Sequence, residues 1–347
     1  MNLSVGIVGL PNVGKSTLFN ALLRKSVAAS ANYPFTTIEP NIGVVPVPDE
    51  RLAKLAAAVK TSVIIPTAVK FVDIAGLVQG AAQGEGLGNK FLSHIREVDA
   101  IIHLVRDFSD SEVVKTGVSP VKDIEIINTE LILADLETVG KMLAEAEREV
   151  KAAQDPEVGE RVSGLQKIKA GLAQGKLASE VMLTEPEKLS LGVLPLLTVK
   201  PQILTLNVDE DKLSGEGLRI SAKLEAELSE LSPEEARAYL SELGVQESGL
   251  EKLIKAAYET LGLQSYFTAG EKEVRAWTIR KGTKAPQAAG AIHTDFEKGF
   301  IKADIVPWEK LTLAGGWAEA RANGWVRLEG KDYVFQDGDV AIFRFQS

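Results

Sequence analysis

The segment Gly9-Leu10-Pro11-Asn12-Val13-Gly14-Lys15-Ser16-Thr17 fits the spacing G-x-x-x-x-G-K-[ST], a complete device for holding phosphate. Gly9 and Gly14 let the backbone curl so that successive N–H groups converge on phosphate oxygens, and the N-terminus of a following helix adds a favourable dipole. Lys15 is placed to reach the β- and γ-phosphates as a point charge, with the Ser16 hydroxyl as a ligand for Mg²⁺. A bare Gly-rich turn with a capping serine would explain the same letters, but not their flanking elements.

Two further groups belong to the same chemistry. Asp73 closes the apolar run 68–74 and is followed by Ala75-Gly76. This is the Walker B arrangement, in which the carboxylate approaches the metal through water and the Gly76 N–H faces the γ-phosphate. Upstream, the turn-rich segment 31–43 carries Thr36 and Thr37, and either hydroxyl can join the metal shell when the γ-phosphate is present. Leu77 stands where many switch GTPases place the glutamine that orients water, so hydrolysis must be arranged differently. The glycines from Gly80 to Gly88 make the next segment a natural switch.

The base-reading positions depart from the guanine pattern. In Asn207-Val208-Asp209-Glu210, Val208 replaces the lysine of Asn-Lys-x-Asp and Glu210 its aspartate. The longer carboxylate displaces the acceptor of the guanine pair and opens the site to adenine. Arg219-Ile220-Ser221-Ala222-Lys223 stands at the matching second loop. Of the histidines, His103 falls inside a buried strand and is expected to be packed and satisfied, while His94 lies on an amphipathic helix nearer the switch segment.

These residues need an α/β scaffold to meet. Residues 3–8 form an apolar, β-branched strand before the phosphate loop, and Leu18, Leu22 and Leu23 space a helix after it. Further strands are expected at 68–74, 100–105 and 199–206. Between the last two, Ile132, Leu136, Val139, Leu143, Ala146 and Val150 recur four and three apart. Pro156 breaks the run, and Val158, Val162, Leu165 and Leu172 repeat the seam, which predicts an antiparallel helical hairpin inserted between sheet strands. From about residue 264 short strands and Gly turns replace helices, at 277–279, 299–301, 333–335 and 341–344, in a stretch holding all four tryptophans. Lys272, Arg275, Arg280, Lys281, Lys284, Lys298 and Lys302 there outweigh Glu273, Asp295 and Glu297, a basic face suited to RNA or simply to solvent.

Composition limits the alternatives. A chain of 347 residues predicts two or three domains. Its 45% hydrophobic and 25% charged content is that of a globular protein, and no run approaches a membrane span, so a cytoplasmic location and no membrane partner are expected. Zero cysteines exclude disulfides and thiolate metal sites, and three histidines leave Mg²⁺ on hydroxyl, carboxylate and phosphate oxygens as the metal this chain supports. The net charge of −9 argues against a wholly basic nucleic-acid binder.

Together GLPNVGKST, NYPFTTIEPN, VDIAGLVQGAAQGEGLGNKFL, the NVDE loop, SAK and AWTIRKGTKAPQAAGAIHTDFEKGFIKAD resemble the YchF family of Obg-related P-loop NTPases across essentially the whole chain. The resemblance implies an α/β P-loop NTPase with a doubly wound, mostly parallel sheet (residues 1–127 and 198–264). It also implies a helical coiled-coil insertion (128–197) and a C-terminal α+β, β-grasp-like TGS domain (265–347). The implied activity is a ribosome-associated ATPase that prefers ATP over GTP. Its partners would be the ribosome, through the large subunit, and RNA, through the TGS and coiled-coil regions. Carried over by position, phosphate falls to Asn12, Val13, Gly14, Lys15, Ser16 and Thr17, Mg²⁺ to Ser16 and Thr37, and the purine to Asn207, Val208 and Glu210, with Ser221 in the second loop. Lys15, Asp73 and the Gly76 backbone would stabilise the transferring phosphoryl group. Asn12 resembles the P-loop asparagine of K⁺-activated relatives, which adds K⁺ as an accessory ion. Some members are thought to use a histidine in the loop after the central strand, whereas residues 107–115 contain none and Lys115 lies near that position. A GTPase of ribosome assembly, or an RNA- or protein-binding adaptor with structural nucleotide, are the competing readings.

Overall fold

A computed structural model describes residues 3–29, 41–74, 87–109, 119–153 and 155–346. β1 (Ser4–Val8) leads through the Gly-rich turn into α1 (Lys15–Ala29). β2 (Ile42–Pro46), α2 (Glu50–Ala58), β3 (Ile64–Ile65), β4 (Ala68–Asp73), α3 (Leu87–Glu97) and β5 (Ala100–Asp107) follow. The long α4 (Pro120–Ala153) and its return helices α5 (Pro156–Ala173) and α6 (Glu185–Leu191) precede β6 (Gln202–Val208) and β7 (Leu218–Ile220). Next come α7 (Ala222–Leu228), α8 (Pro233–Glu242) and α9 (Gly249–Thr260). The last stretch runs β8 (Leu263–Ala269), β9 (Val274–Arg280), α10 (Ala285–Gly290), α11 (Thr294–Lys298) and β10 (Phe300–Pro307). It closes with α12 (Trp308–Ala314), α13 (Trp317–Ala322), β11 (Arg327–Glu329) and β12 (Asp339–Phe345).

The first sheet has the order β2-β4-β1-β5-β6-β7, parallel except for β2 against β4. β1 is buried at every position and β5 through Val105, so neither alternates in and out. That is the pattern of parallel strands covered on both faces. β1 lies between β4 and β5, so the chain's order reverses beside it. The crevice at the carboxyl ends of these strands is where such a sheet takes its ligand.

The hairpin forms as its seam predicts. Ile132, Val139, Leu143 and Ala146 of α4 share a core with Leu165, Ile168 and Leu172 of α5. Asp155 caps α5 by accepting the Glu157 N–H, and Pro156 needs no donor in the first turn. The insertion is latched at its base: buried Asp135 accepts the backbone N–H of Leu197 at 2.8 Å, that of Thr198 at 2.7 Å and the Thr198 hydroxyl at 2.6 Å.

The second sheet runs β11-β10-β12-β8-β9-β3, an α+β layer with α2 and α12 packed on it. Here the sequence-based division at residue 127 runs differently from the molecule. β3 lies early in the chain yet pairs with β9, Ile64 opposite Val274 and Ile65 opposite Arg275. α2 places Leu52, Leu55, Ala56 and Val59 in the core built by Phe267, Val274, Val306, Leu311 and Val340. Residues 1–127 therefore lend a helix and a strand to the C-terminal unit. The expected strand at 333–335 is also absent, replaced by a single bridge between Lys284 and Val334.

Candidate functional site

The phosphate loop is shaped by two backbone demands. Asn12 has φ 64 and Gly14 φ 90, both left-handed. Asparagine tolerates that region, whereas at Gly14 a Cβ would also collide with the Asn207 amide. Gly9 needs its hydrogen for another reason, since a Cβ there would sit 2.7 Å from the Leu104 carbonyl of β5. The loop thus lies flat against the strand ends, with Val13 buried beneath it and α1 starting at Lys15.

Asn207, at the end of β6, joins the phosphate loop to the second base loop. Its Nδ2 donates to the Val13 carbonyl at 2.8 Å and its Oδ1 accepts the Ala222 N–H at 2.9 Å. Both interactions are buried, which places them among the costly hydrogen bonds to break. Ser221 caps α7, accepting the Leu224 N–H at 3.3 Å. Val208 is buried, and Glu210 opens a short 3₁₀ turn at the cleft wall.

These parts enclose a cleft of about 960 Å³. Asn12, Gly14, Lys15, Ser16 and Thr17 line one end, and Asn207, Val208, Glu210 and Ser221 line the other. Lys15 Nζ lies 2.5 Å from Asp73 Oδ1, which brings the phosphate loop and the Walker B carboxylate into one ion pair. The Ser16 hydroxyl and the Asp73 carboxylate are hard oxygen donors of the kind Mg²⁺ prefers. Among the described residues no cluster of three or more His, Asp or Glu could hold a metal ion. Thr36, Thr37, Gly76, Leu77 and Lys115 lie outside the described residues.

The cleft also takes in Phe108, Ser109, Asp209 and Glu227, to which the sequence reading gave no role. Phe108 and Ser109 follow β5 directly, so the signal for them was position alone, at the carboxyl edge of a central strand. Arg106 covers Phe108, its guanidinium 4.3 Å from the ring centre and its Nε donating to the Phe108 carbonyl at 3.4 Å. Asp209 accepts from Lys212 at 3.0 Å. That bond holds its carboxyl below the usual range against the opposing effect of burial, and donors on Ser109 add to it.

The histidines stand apart. His94 is exposed on α3. His103 is packed, as expected, but not satisfied: it is 2% exposed, its Nε2 has no partner, and burial pushes its pKa down to about 4. In the C-terminal unit the basic face is partly neutralised, with Arg275 on Glu273 and Lys284 on Asp332. Its aromatics serve mainly as core: Phe300 and Phe335 are buried, and the Trp277 indole donates to Thr268. No helix among the described residues is long and apolar enough to cross a membrane.

Residues 4–141 match the family model described as a 50S ribosome-binding GTPase (MMR_HSR1), and residues 263–346 match that of the YchF-GTPase C-terminal region, described as a protein of unknown function. The curated "Ribosome-binding ATPase YchF" of Bacillus subtilis is 52% identical over 366 residues, covering 99% of this chain and 100% of that protein. The protein of the same name from Escherichia coli O157:H7 is 47% identical, with 99% of each covered. Among solved structures, the YchF GTPase of Schizosaccharomyces pombe superposes with a TM-score of 0.87 at 38% identity, over 99% of this chain and 98% of that one.

Proposed function

The chain belongs to the YchF family and is a nucleotide hydrolase, and on that premise we propose that it hydrolyses ATP in preference to GTP as a conformational switch on the ribosome. The observation that carries the adenine assignment is the far end of the cleft. Guanine recognition needs a carboxylate that accepts two N–H donors from one base edge. Here Val208 is buried and the acidic residue two positions later is Glu210, held on a 3₁₀ turn. Adenine presents only its N6 amino group as a donor at that edge, so a single acceptor suffices.

At the other end Lys15 neutralises the β- and γ-phosphates, drawn from its contact with Asp73, while the N–H groups from Asn12 to Thr17 surround the phosphate oxygens. Ser16, with Thr37, would hold Mg²⁺, which supplies charge neutralisation for the transferring phosphoryl group. Any dependence on K⁺ is expected to act through Asn12. Asp73 would approach the metal through water, and the Gly76 N–H would meet the γ-phosphate.

Ribosome association rests on the relatives' names, and we assign it to the large subunit through the helical hairpin and the C-terminal unit. Calorimetry with ATP and GTP tests the base assignment, and tighter GTP binding would overturn it in favour of the GTPase reading. Co-sedimentation with purified 50S and 30S subunits tests the partner, with binding to 50S expected and absence from both fractions fatal to this part.

A further inference from the structure

β5 and β6 run side by side until Asp107 meets Val208, the last rung of their ladder. Beyond it the chains become two separate walls of the cleft, Phe108 and Ser109 on one side, Asp209 and Glu210 on the other. Among the described residues no strand hydrogen bond joins them past that point. A side chain does: the Asp209 carboxylate accepts the Ser109 N–H with both oxygens at 3.2 Å and the Ser109 hydroxyl at 3.0 Å. On its other side Lys212 donates to the same carboxylate, so Asp209 is held from two directions.

The two contacts differ in what they can do. Asp209 and Lys212 are three residues apart on a half-exposed turn, and such a pair contributes little on its own. The bond to Ser109 is not local, since it spans 100 positions of sequence and closes the open end of a parallel strand pair. It adjoins Phe108, whose ring is backed by Arg106. A pocket whose walls are already joined spends less binding energy on ordering them.

We infer that Asp209 is a positioning residue for the purine: by tying the Phe108–Ser109 wall to the base loop it sets affinity for the base, leaving phosphate capture to the loop at Lys15. The inference rests on the cleft being a purine nucleotide site. It goes beyond the base-contacting positions Asn207, Val208 and Glu210, because Asp209 acts through Ser109 instead of through the nucleotide.

Calorimetry of ATP and of inorganic triphosphate with the full chain separates the two ends of the cleft. Asp209→Ala should weaken ATP by roughly ten-fold and leave triphosphate within about two-fold, with the loss of hydrolysis appearing in KM and not in kcat. Asp209→Asn keeps an acceptor for Ser109 and should recover most of the affinity. An Ala variant that binds ATP as the parent does, or that loses ATP and triphosphate alike, overturns the inference while the purine site stands. A parent protein that binds ATP no more tightly than triphosphate would overturn both.

Discussion

Lys15 Nζ lies 2.5 Å from Asp73 Oδ1, joining the first residue of α1 to the last residue of β4 with both side chains largely shielded from water. The carboxylate thus holds the ammonium at the cleft, beside the loop proposed to take phosphate. On the proposed function phosphate oxygens would replace Asp73 as the partner of Lys15, whose charge would then stabilise the transferring phosphoryl group. Lys15→Ala should lower phosphate release at saturating ATP by about 10²- to 10³-fold. Release at the parental rate would instead favour the adaptor reading, in which nucleotide is only structural.

Glu210 is the accessible lever on base choice, because Val208 is buried and a lysine there would have to place its charge in the core. Glu210→Asp shortens the acceptor toward the guanine geometry. The ratio of GTP to ATP dissociation constants should fall by about five- to ten-fold, a change on the order of 1 kcal/mol. A ratio that does not move would place base selection elsewhere on the cleft wall.

The phosphate loop, its strand and helix, and the helical hairpin were legible because local rules define them. Spacing fixes the N–H cradle at Gly9 to Thr17, and a four-and-three seam fixes α4 against α5. Asn207 was legible as a base-loop residue, but its grip on Val13 was not, since that partner lies 194 positions away in sequence. The same holds for Asp209 and Ser109. β3 shows the limit most plainly: Ile64 and Ile65 are too short a run to announce a strand, and their partner β9 forms some two hundred residues later. The basic face was legible only as charge, since the carboxylates on Arg275 and Lys284 are visible only in the fold.

Arg51 fastens α2 to the C-terminal sheet on which it packs. Its guanidinium binds Asp49 at 2.8 Å and Asp337 at 2.6 Å, and lies 4.9 Å from the centre of the Phe267 ring. Burial alone would lower its pKa, but the two carboxylates outweigh that and raise it. Since α2 and β3 sit between β2 and β4, loosening this joint should loosen the strand that carries Asp73. Arg51→Ala should cost about 2 kcal/mol, within the range for charged hydrogen bonds. Amide exchange should quicken across α2 and β3 and stay unchanged in α5. A uniform change over the whole chain would mean that the joint is not a local one.

His103 gives the chain a pH-dependent weakness. It stands on β5 in register with Val8 on one side and Leu204 on the other, with Nε2 unpaired and its pKa near 4, against about 6.5 in the unfolded chain. Above pH 6.5 both states hold a neutral ring, and the fold keeps its full stability. As pH falls below that value the unfolded chain takes up a proton that the folded chain refuses, so stability drops by up to about 1.4 kcal/mol per pH unit. The drop ends near pH 4, where the folded ring also protonates. His103→Leu removes the titration and the unpaired nitrogen together, so its stability curve should be flatter across this window. Carboxylates that titrate in the same range cancel in the difference between the two proteins. Urea midpoints measured from pH 7.5 to 4.5 should therefore diverge in favour of the variant as pH falls, and parallel curves would show that the buried ring binds its proton in the folded state as readily as in the unfolded one.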